Sequence, residues 1–583
     1  MLLWLACQCL NLFAQRSANL AWWDPAKNEF PVLEGQGWFK EVKEPYSRLP
    51  ASSEKQVNPA IWKLSRQSAG LMLRFKSNAS HISIRYTVGG PHALPHMPAT
   101  GVSGVDLYAV NADGEYLWCA GKFSFKDTIT YQFTNLEPSD KYHNKGREYR
   151  LYLPLYNSVK WLEVGVPEEA AFTALPVRED KPIVVYGTSI AQGACASRPG
   201  MAWTSIVGRK MDRPLLNLGF SGNGRLDKEI IDLVTEIDAR VYILDCLPNM
   251  VGSSVLKSEE VYSRIIDAVK TIRQKKPNVP IILTEHAGYT DGGINPARRK
   301  LYTDVNEQAR KAFTDLRKED IASIYLLPQS ELSQDIETMV DGTHPNDLGM
   351  LRYATGYEKI VRQVLQEPAA AFSTTQPKTQ TRDAKYYDWE KRHREILTLN
   401  KSQPPQLVFI GNSIIHYWGG IPVAPRSSGA ASWKKIFEPQ GARNLGFGWD
   451  RIENVLWRIY HDELDGFALK QAVILIGTNN LELNSDAEIV AGLKLLVESI
   501  KIRQPNASVL LMGLLPRRNQ EERVSRINQE IKKLAASLSI PYQDAGPVFL
   551  DAAGKINEAL FSDGLHPNAL GYERLANYLK PFL

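Results

Sequence analysis

In 583 residues there are only five cysteines, and two of them, Cys7 and Cys9, stand within the first ten positions. The three that remain, Cys119, Cys195 and Cys246, are an odd number and cannot close into a complete disulfide framework. Cys195 and Cys246 both follow expected strand ends, so they either pair with each other or stay as buried free thiols. No His/Cys grouping has metal-ligand spacing, and no glycine-rich loop of the phosphate-cradling kind occurs. No metal and no organic cofactor is therefore expected. Charge of one sign is missing as well. The 69 basic and 64 acidic residues leave a net charge of +5, and without a Lys/Arg block there is no case for nucleic acid as a partner. No apolar run reaches the roughly 20 residues of a membrane helix, so no membrane insertion is expected. The apolar stretch Met1 to Ala14 is too short to span a bilayer but has signal-peptide length, although it lacks a basic start. It predicts export to a secreted or periplasmic location, with cleavage near Ala14-Gln15; a lipid anchor at Cys7 is the lesser alternative.

What is present is an ordinary globular composition, 44% hydrophobic and 23% charged, on a chain long enough for two to four domains. From 20 to 178 apolar residues recur with period two, as in Leu71-Met72-Leu73-Arg74-Phe75 and Thr128-Ile129-Thr130-Tyr131-Gln132-Phe133. Turn residues such as Gly89-Gly90 and Asp113-Gly114 separate these runs, and the pattern predicts an antiparallel β-sandwich of jelly-roll type. Of its aromatics, Trp22, Trp23, Trp38, Trp118 and Trp161, most are expected in the core, with contact to sugar rings the alternative.

From 180 onward strands alternate with helices. Val241-Tyr242-Ile243-Leu244 and Ile281-Ile282-Leu283-Thr284 read as strands and Glu259 to Lys275 as an amphipathic helix, which predicts a parallel sheet covered on both faces. Glu285-His286 at one strand end is either a substrate contact or structural. Residues 367–383, small and Pro/Thr-rich at their start, read as a linker. A second α/β unit follows over 384–583, with Val473-Ile474-Leu475-Ile476 and Val509-Leu510-Leu511-Met512 as later strands. Arg517-Arg518, after the last of these, either meets an anionic substrate group or is solvated.

The two α/β units carry one constellation twice. The apolar run Ile183-Val184-Val185-Tyr186 stops on Gly187-Thr188-Ser189, and Leu407-Val408-Phe409-Ile410 stops on Gly411-Asn412-Ser413. Glycine lets the chain turn sharply and lifts the serine clear of the sheet. Far downstream come Asp341-Gly342-Thr343-His344 and Asp563-Gly564-Leu565-His566. A serine hydroxyl needs a histidine to take its proton, and the histidine needs a carboxylate to set its tautomer and stabilise the imidazolium. Asp and His three residues apart on one loop supply both.

These residues resemble the SGNH/GDSL hydrolase family over 180–366 and 384–583. The resemblance implies two three-layer α/β/α domains with parallel sheets behind the β-sandwich, and serine esterase activity. It implies Ser189, Asp341 and His344 in the first domain, and Ser413, Asp563 and His566 in the second, as catalytic. In the second domain Asn444-Leu445-Gly446-Phe447-Gly448-Trp449 and Gly477-Thr478-Asn479-Asn480 fall where the family keeps its oxyanion donors, so Trp449 N–H and the Asn479 amide take that role, although the family usually has glycine at position 449. In the first, Asn217-Leu218-Gly219-Phe220-Ser221-Gly222 supplies Gly222, and Leu244-Asp245-Cys246-Leu247-Pro248-Asn249 supplies Asn249 in a shifted register. Gly104-Val105-Asp106-Leu107-Tyr108 resembles the mark of a subgroup with a preceding GxDLY-type β domain. Exported members with such domains often deacetylate glycans, so an acetylated carbohydrate, of plant polysaccharide or sialic acid type, is the expected substrate. A first copy that only binds glycan or acts as a scaffold, and a general acylesterase or lipase, are the alternatives. Nothing in the pattern assigns an oligomeric state.

Overall fold

The structure is a computed structural model that describes residues 19–138, 142, 146–252 and 255–583. The expected signal segment and Cys7 lie outside the described residues. The N-terminal region forms two antiparallel sheets. One runs Leu20–Trp23, Val159–Pro167, His81–Val88, Ile129–Thr134, Lys122–Ser124; the other runs Phe172–Ala174, Met72–Ser77, Arg147–Tyr152, Asp106–Val110, Tyr116–Cys119. Strand Ile129–Thr134 shows how the sequence selects this layer. Ile129, Tyr131 and Phe133 are buried while Gln132 and Thr134 face solvent, because successive side chains leave a strand on opposite faces. The inward sets of both sheets make one core with Leu73, Phe75, Ile84 and Leu151. Of the tryptophans expected mostly in the core, Trp23 packs against it, and the others depart from that expectation. Trp118 and Trp161 are 53% and 37% exposed. Trp22 lies under the Arg85 guanidinium at 3.8 Å, and Trp38 is buried in the core of the neighbouring α/β unit rather than in the sandwich.

Two five-stranded parallel sheets follow with one topology. The first has the order Leu215–Gly219, Ile183–Gly187, Val241–Asp245, Ile281–Thr284, Ile324–Leu327, and the second Ala442–Gly446, Leu407–Gly411, Gln471–Leu475, Ser508–Met512, Tyr542–Gln543. The serine-bearing strands are buried on both sides: Val184 and Tyr186 enter one core and Ile183 and Val185 the other, as do Val408 and Ile410 against Leu407 and Phe409. Each unit is thus an α/β/α sandwich. Helix Ser258–Lys275 carries Glu259 and Glu260 in its first turn and Arg273 and Lys275 in its last, matching the helix dipole. In both sheets the chain leaves the serine strand, adds a strand on one side, then crosses to the other. That reversal opens a crevice at the carboxyl ends, where ligands bind in such sheets.

The segment read as a linker is not a loose spacer. Glu367 is buried and pairs with Arg213 of the first unit at 2.8 Å and with Arg503 of the second at 3.5 Å. Thr374 donates to the Glu488 carbonyl at 2.6 Å. Gln380 and Arg382, both buried, donate to the Gly448 and Trp449 carbonyls at 2.9 Å each, and Arg382 also pairs with Asp113 of the β domain at 2.6 Å. Composition identified the small and Pro/Thr-rich start, but the later polar side chains tie the segment to buried backbone: Arg382 is the partner of the Trp449 carbonyl, and Gln380 shares the Gly448 carbonyl with Tyr387. The cysteines are settled as well: Cys119, Cys195 and Cys246 are free and buried, and Cys246 donates to the Tyr186 carbonyl.

Candidate active sites

Each serine opens a short helix, Ser189–Gln192 and Ser413–His416, whose N-cap side chain, Thr188 or Asn412, accepts the N–H two residues on. The turn depends on the glycine before it. A Cβ at Gly187 would meet Ala191 at 2.6 Å, and one at Gly411 would meet Ile415 and the Leu475 carbonyl at 2.5 Å. Only a bare backbone lets the helix fold back this closely onto the sheet.

The downstream loops reach both serines. Ser189 Oγ lies 2.9 Å from His344 Nε2, and His344 Nδ1 lies 2.8 Å from Asp341 Oδ2. In the second unit the corresponding distances are 2.8 Å to His566 Nε2 and 2.7 Å from Nδ1 to Asp563 Oδ2. A carboxylate only accepts, so Nδ1 carries the ring proton and Nε2 is left to accept from the serine. The other carboxylate oxygen accepts the histidine's own backbone N–H, at 2.8 Å in both sites. Burial pushes the Asp341 and Asp563 carboxyls up, but the histidine side-chain and backbone hydrogen bonds outweigh it and hold both below the ordinary value. His566 is held below its ordinary value by burial, against the pull of Asp563, with Arg426 and Arg517 acting in the same sense as burial.

The loops that carry Gly222 and Trp449, expected as donors, are tied to the serine helices through the residues just before them, Ser221 and Gly448. Gly222 and Trp449 both have left-handed backbone, φ +71° and +64°, and neither N–H has an acceptor among the described residues. Glycine adopts that conformation freely, whereas tryptophan is held in it here by Arg382 on its carbonyl. The register expected for Asn249 is corrected. Gly187 pairs with Asp245 and Gly411 with Leu475, and Asn249 and Asn479 each stand four residues beyond those partners. The asparagines are therefore equivalent in register. Gly224 N–H donates to Asn249 Oδ1 at 3.1 Å, while Asn479 Nδ2 donates to the Asp450 carbonyl at 2.9 Å and keeps its second hydrogen.

Sequence reasoning missed Gln192 and His416. Each stands three residues after its serine, one helical turn on, and accepts the N–H of the residue just before the expected donor: Ser221 N–H to Gln192 Oε1 at 3.0 Å, Gly448 N–H to His416 Nδ1 at 3.0 Å. The common offset from the serine was the only available signal. Glu285 and His286 prove structural. Both are buried; Glu285 pairs with Arg310 at 2.6 Å, and His286 accepts the Gly288 N–H at 2.8 Å and is pushed by burial to about 3, hence neutral. Arg517 and Arg518 are engaged by Glu482 at 2.6 Å and Glu558 at 2.7 Å.

Comparison with known proteins agrees with this architecture. Residues 180–362 and 409–574 each match the GDSL-like Lipase/Acylhydrolase family, and residues 20–172 match the N-terminus of Esterase_SGNH_hydro-type. Platelet-activating factor acetylhydrolase IB subunit alpha1 of Bos taurus and of Homo sapiens are each 30% identical over 200 residues, 33% of this chain and 82% of the relative. The alpha2 subunit of Bos taurus is 29% identical over 196 residues, 33% of this chain and 81% of the relative. A solved structure described as a GDSL-like lipase, from Bacteroides ovatus ATCC 8483, is 32% identical with a TM-score of 0.54, covering 60% of this chain and 98% of that one. Two family matches on two sheets of one topology, each holding a serine against an Asp-x-x-His loop, make this chain a tandem member of the SGNH/GDSL acylhydrolase family behind a GxDLY-type domain.

Proposed function

We propose that the chain is an exported serine esterase that removes O-acetyl groups from carbohydrates at two sites. In the second site Ser413 Oγ attacks the acyl carbon as His566 Nε2 takes its proton, and Asp563 stabilises the imidazolium. Negative charge on the carbonyl oxygen is received by the N–H groups of Ser413 and Trp449 and by the Asn479 amide. His566 returns the proton to the leaving sugar hydroxyl, then draws one from water, which releases acetate and frees the serine. Ser189, His344, Asp341, Gly222 and Asn249 act in the same way in the first site. Both reactions balance with water alone as co-reactant.

The observation that carries this reading is the repeated geometry, with serine to histidine at 2.9 and 2.8 Å and histidine to aspartate at 2.8 and 2.7 Å. It favours two working sites over a first copy that only binds or supports. An acetyl group is supported by the names of the relatives, which are acetylhydrolases. A sugar is supported by Trp118, Phe123 and Trp161, apolar rings exposed on the β domain, since such rings can stack on sugar faces. Export rests on the N-terminal apolar run.

The test is acetate release from 4-nitrophenyl acetate and from acetylated xylan, pectin and sialosides by the parent, Ser189→Ala, Ser413→Ala and the double variant. Partial activity in each single variant and none in the double supports two esterases. Abolition by one substitution alone reduces the other copy to a binding or supporting role. Activity only on long-chain lipid esters replaces the carbohydrate reading with a lipase.

A further inference from the structure

We propose that the first site, and not the second, carries a zinc-binding cluster formed by His96, Cys195 and His344, through which a thiophilic divalent cation switches that site off. The three come from separate parts of the chain. His96 is on a loop of the β domain, Cys195 lies six residues beyond Ser189, and His344 is the histidine already placed against that serine. Their candidate ligand atoms all fall within 4.8 Å of one another, and the two imidazole rings are 5.8 Å apart, centroid to centroid.

Zinc takes imidazole nitrogen at about 2.0–2.1 Å and thiolate sulfur at about 2.3 Å in tetrahedral geometry. Ligand atoms around it therefore sit roughly 3.5 Å apart. His96 is exposed, so rotation of its ring brings its nitrogen toward Cys195 and His344, whose own ligand atoms already lie within 4.8 Å of each other. The backbone beneath the cluster is already set. Leu94 and Met97 exchange backbone hydrogen bonds at 3.1 and 3.0 Å in a tight turn that presents His96. Met97 packs with Val102, Ala194 and Cys195, and Thr100 donates to the Ser197 carbonyl at 2.7 Å. Two histidines and a cysteine are a borderline-soft donor set that suits zinc and leaves a fourth position for water.

On binding, the Cys195 thiol gives its proton to solvent and one ring of the cluster, His344, is taken out of proton transfer. No electron moves and no covalent bond other than the coordinate ones forms. The second site has no counterpart: six residues beyond Ser413 stands Gly419, and the described residues place no second cluster of three ligands there.

The proposal is tested on the full chain with Ser413→Ala, which isolates the first site, and Ser189→Ala, which isolates the second, in a ZnCl2 titration of 4-nitrophenyl acetate hydrolysis. Each rate is normalised to the same protein's rate in chelator. The expected result is zinc inhibition of the Ser413→Ala form, reversed by chelator, with the Ser189→Ala form unaffected over the same range. Adding His96→Ala or Cys195→Ser to the Ser413→Ala form should weaken zinc binding by roughly tenfold or more. A second readout needs no activity: cobalt(II) added to the parent should give a thiolate-to-metal absorption band, lost in Cys195→Ser and weakened in His96→Ala. His96 is exposed, so its variant tests the cluster even where the buried cysteine does not tolerate change. Equal inhibition of both single-site forms, or a cobalt band and zinc sensitivity unchanged by both substitutions, overturns the proposal.

Discussion

Replacing Trp449 by glycine separates what the backbone of that residue does from what its side chain does. Its φ of +64° costs a non-glycine residue about 1–2 kcal/mol, and Trp449→Gly removes that cost. Against the gain stand the extra freedom of glycine in the unfolded chain, about 0.5–1 kcal/mol, and loss of the edge-to-face contact with Tyr142 at 5.7 Å, about 0.5–1.5 kcal/mol for an aromatic pair. The terms nearly cancel, so stability should change by no more than about 1 kcal/mol. The N–H stays in place, still aimed by Arg382 and His416. In a Ser189→Ala background, kcat for 4-nitrophenyl acetate should therefore stay within a few-fold of its reference. Asn479→Ala in the same background removes a donor and should cost about 10²–10³ in kcat. Thermal melting run alongside checks that both variants are folded. If Trp449→Gly falls as far as Asn479→Ala while melting normally, the backbone N–H of residue 449 is not the donor and the oxyanion assignment fails.

Three further outcomes follow from the same geometry. His566 must be neutral to accept a proton and is held below its ordinary value, so kcat/KM of the Ser189→Ala form should rise with pH through a midpoint below about 6.5; a midpoint above 7 would contradict the burial argument. His416→Gln, which installs the residue found at the equivalent Gln192, should keep most second-site activity, whereas His416→Ala should lower kcat with little effect on KM; equal loss in both would assign His416 a role beyond accepting the Gly448 N–H. Asp245 is buried with one carboxylate oxygen unpartnered and is pushed up to about 7 by burial, against a hydrogen bond from Tyr357. The folded state then holds a proton that the unfolded state releases near 3.9, so stability falls as pH rises from about 4 to about 7, by about 4 kcal/mol. Asp245→Asn should flatten that part of the melting-temperature profile, and an unchanged slope would show that Asp245 does not titrate there.

The parts of this protein legible in its sequence are those whose physics is local. A buried parallel strand must be apolar throughout, a sharp turn needs glycine at its corner, and a loop can present aspartate and histidine together at one short spacing. Those constraints wrote Gly187-Thr188-Ser189, Gly411-Asn412-Ser413 and the two Asp-x-x-His loops plainly enough to pair them across more than 150 residues, and the period-two pattern marked the β domain. Composition misled where tertiary contact decides. Thr374, Gln380 and Arg382 stand in a segment read as a linker but are buried against the second unit and its donor loop. Trp118 and Trp161 carry the largest apolar side chains and yet face solvent.

Only the assembled fold decided the rest. The equivalence of Asn249 and Asn479 depends on strand register, which the differing loop sequences hide. The tension at Trp449 depends on a backbone angle imposed by its neighbours. Gln192 and His416 matter because a helical turn meets a loop from the next strand. The His96, Cys195 and His344 cluster draws on three segments 99 and 149 residues apart in sequence. No spacing rule reaches that far, because the distance between such groups is set by the packing of a β domain on an α/β domain.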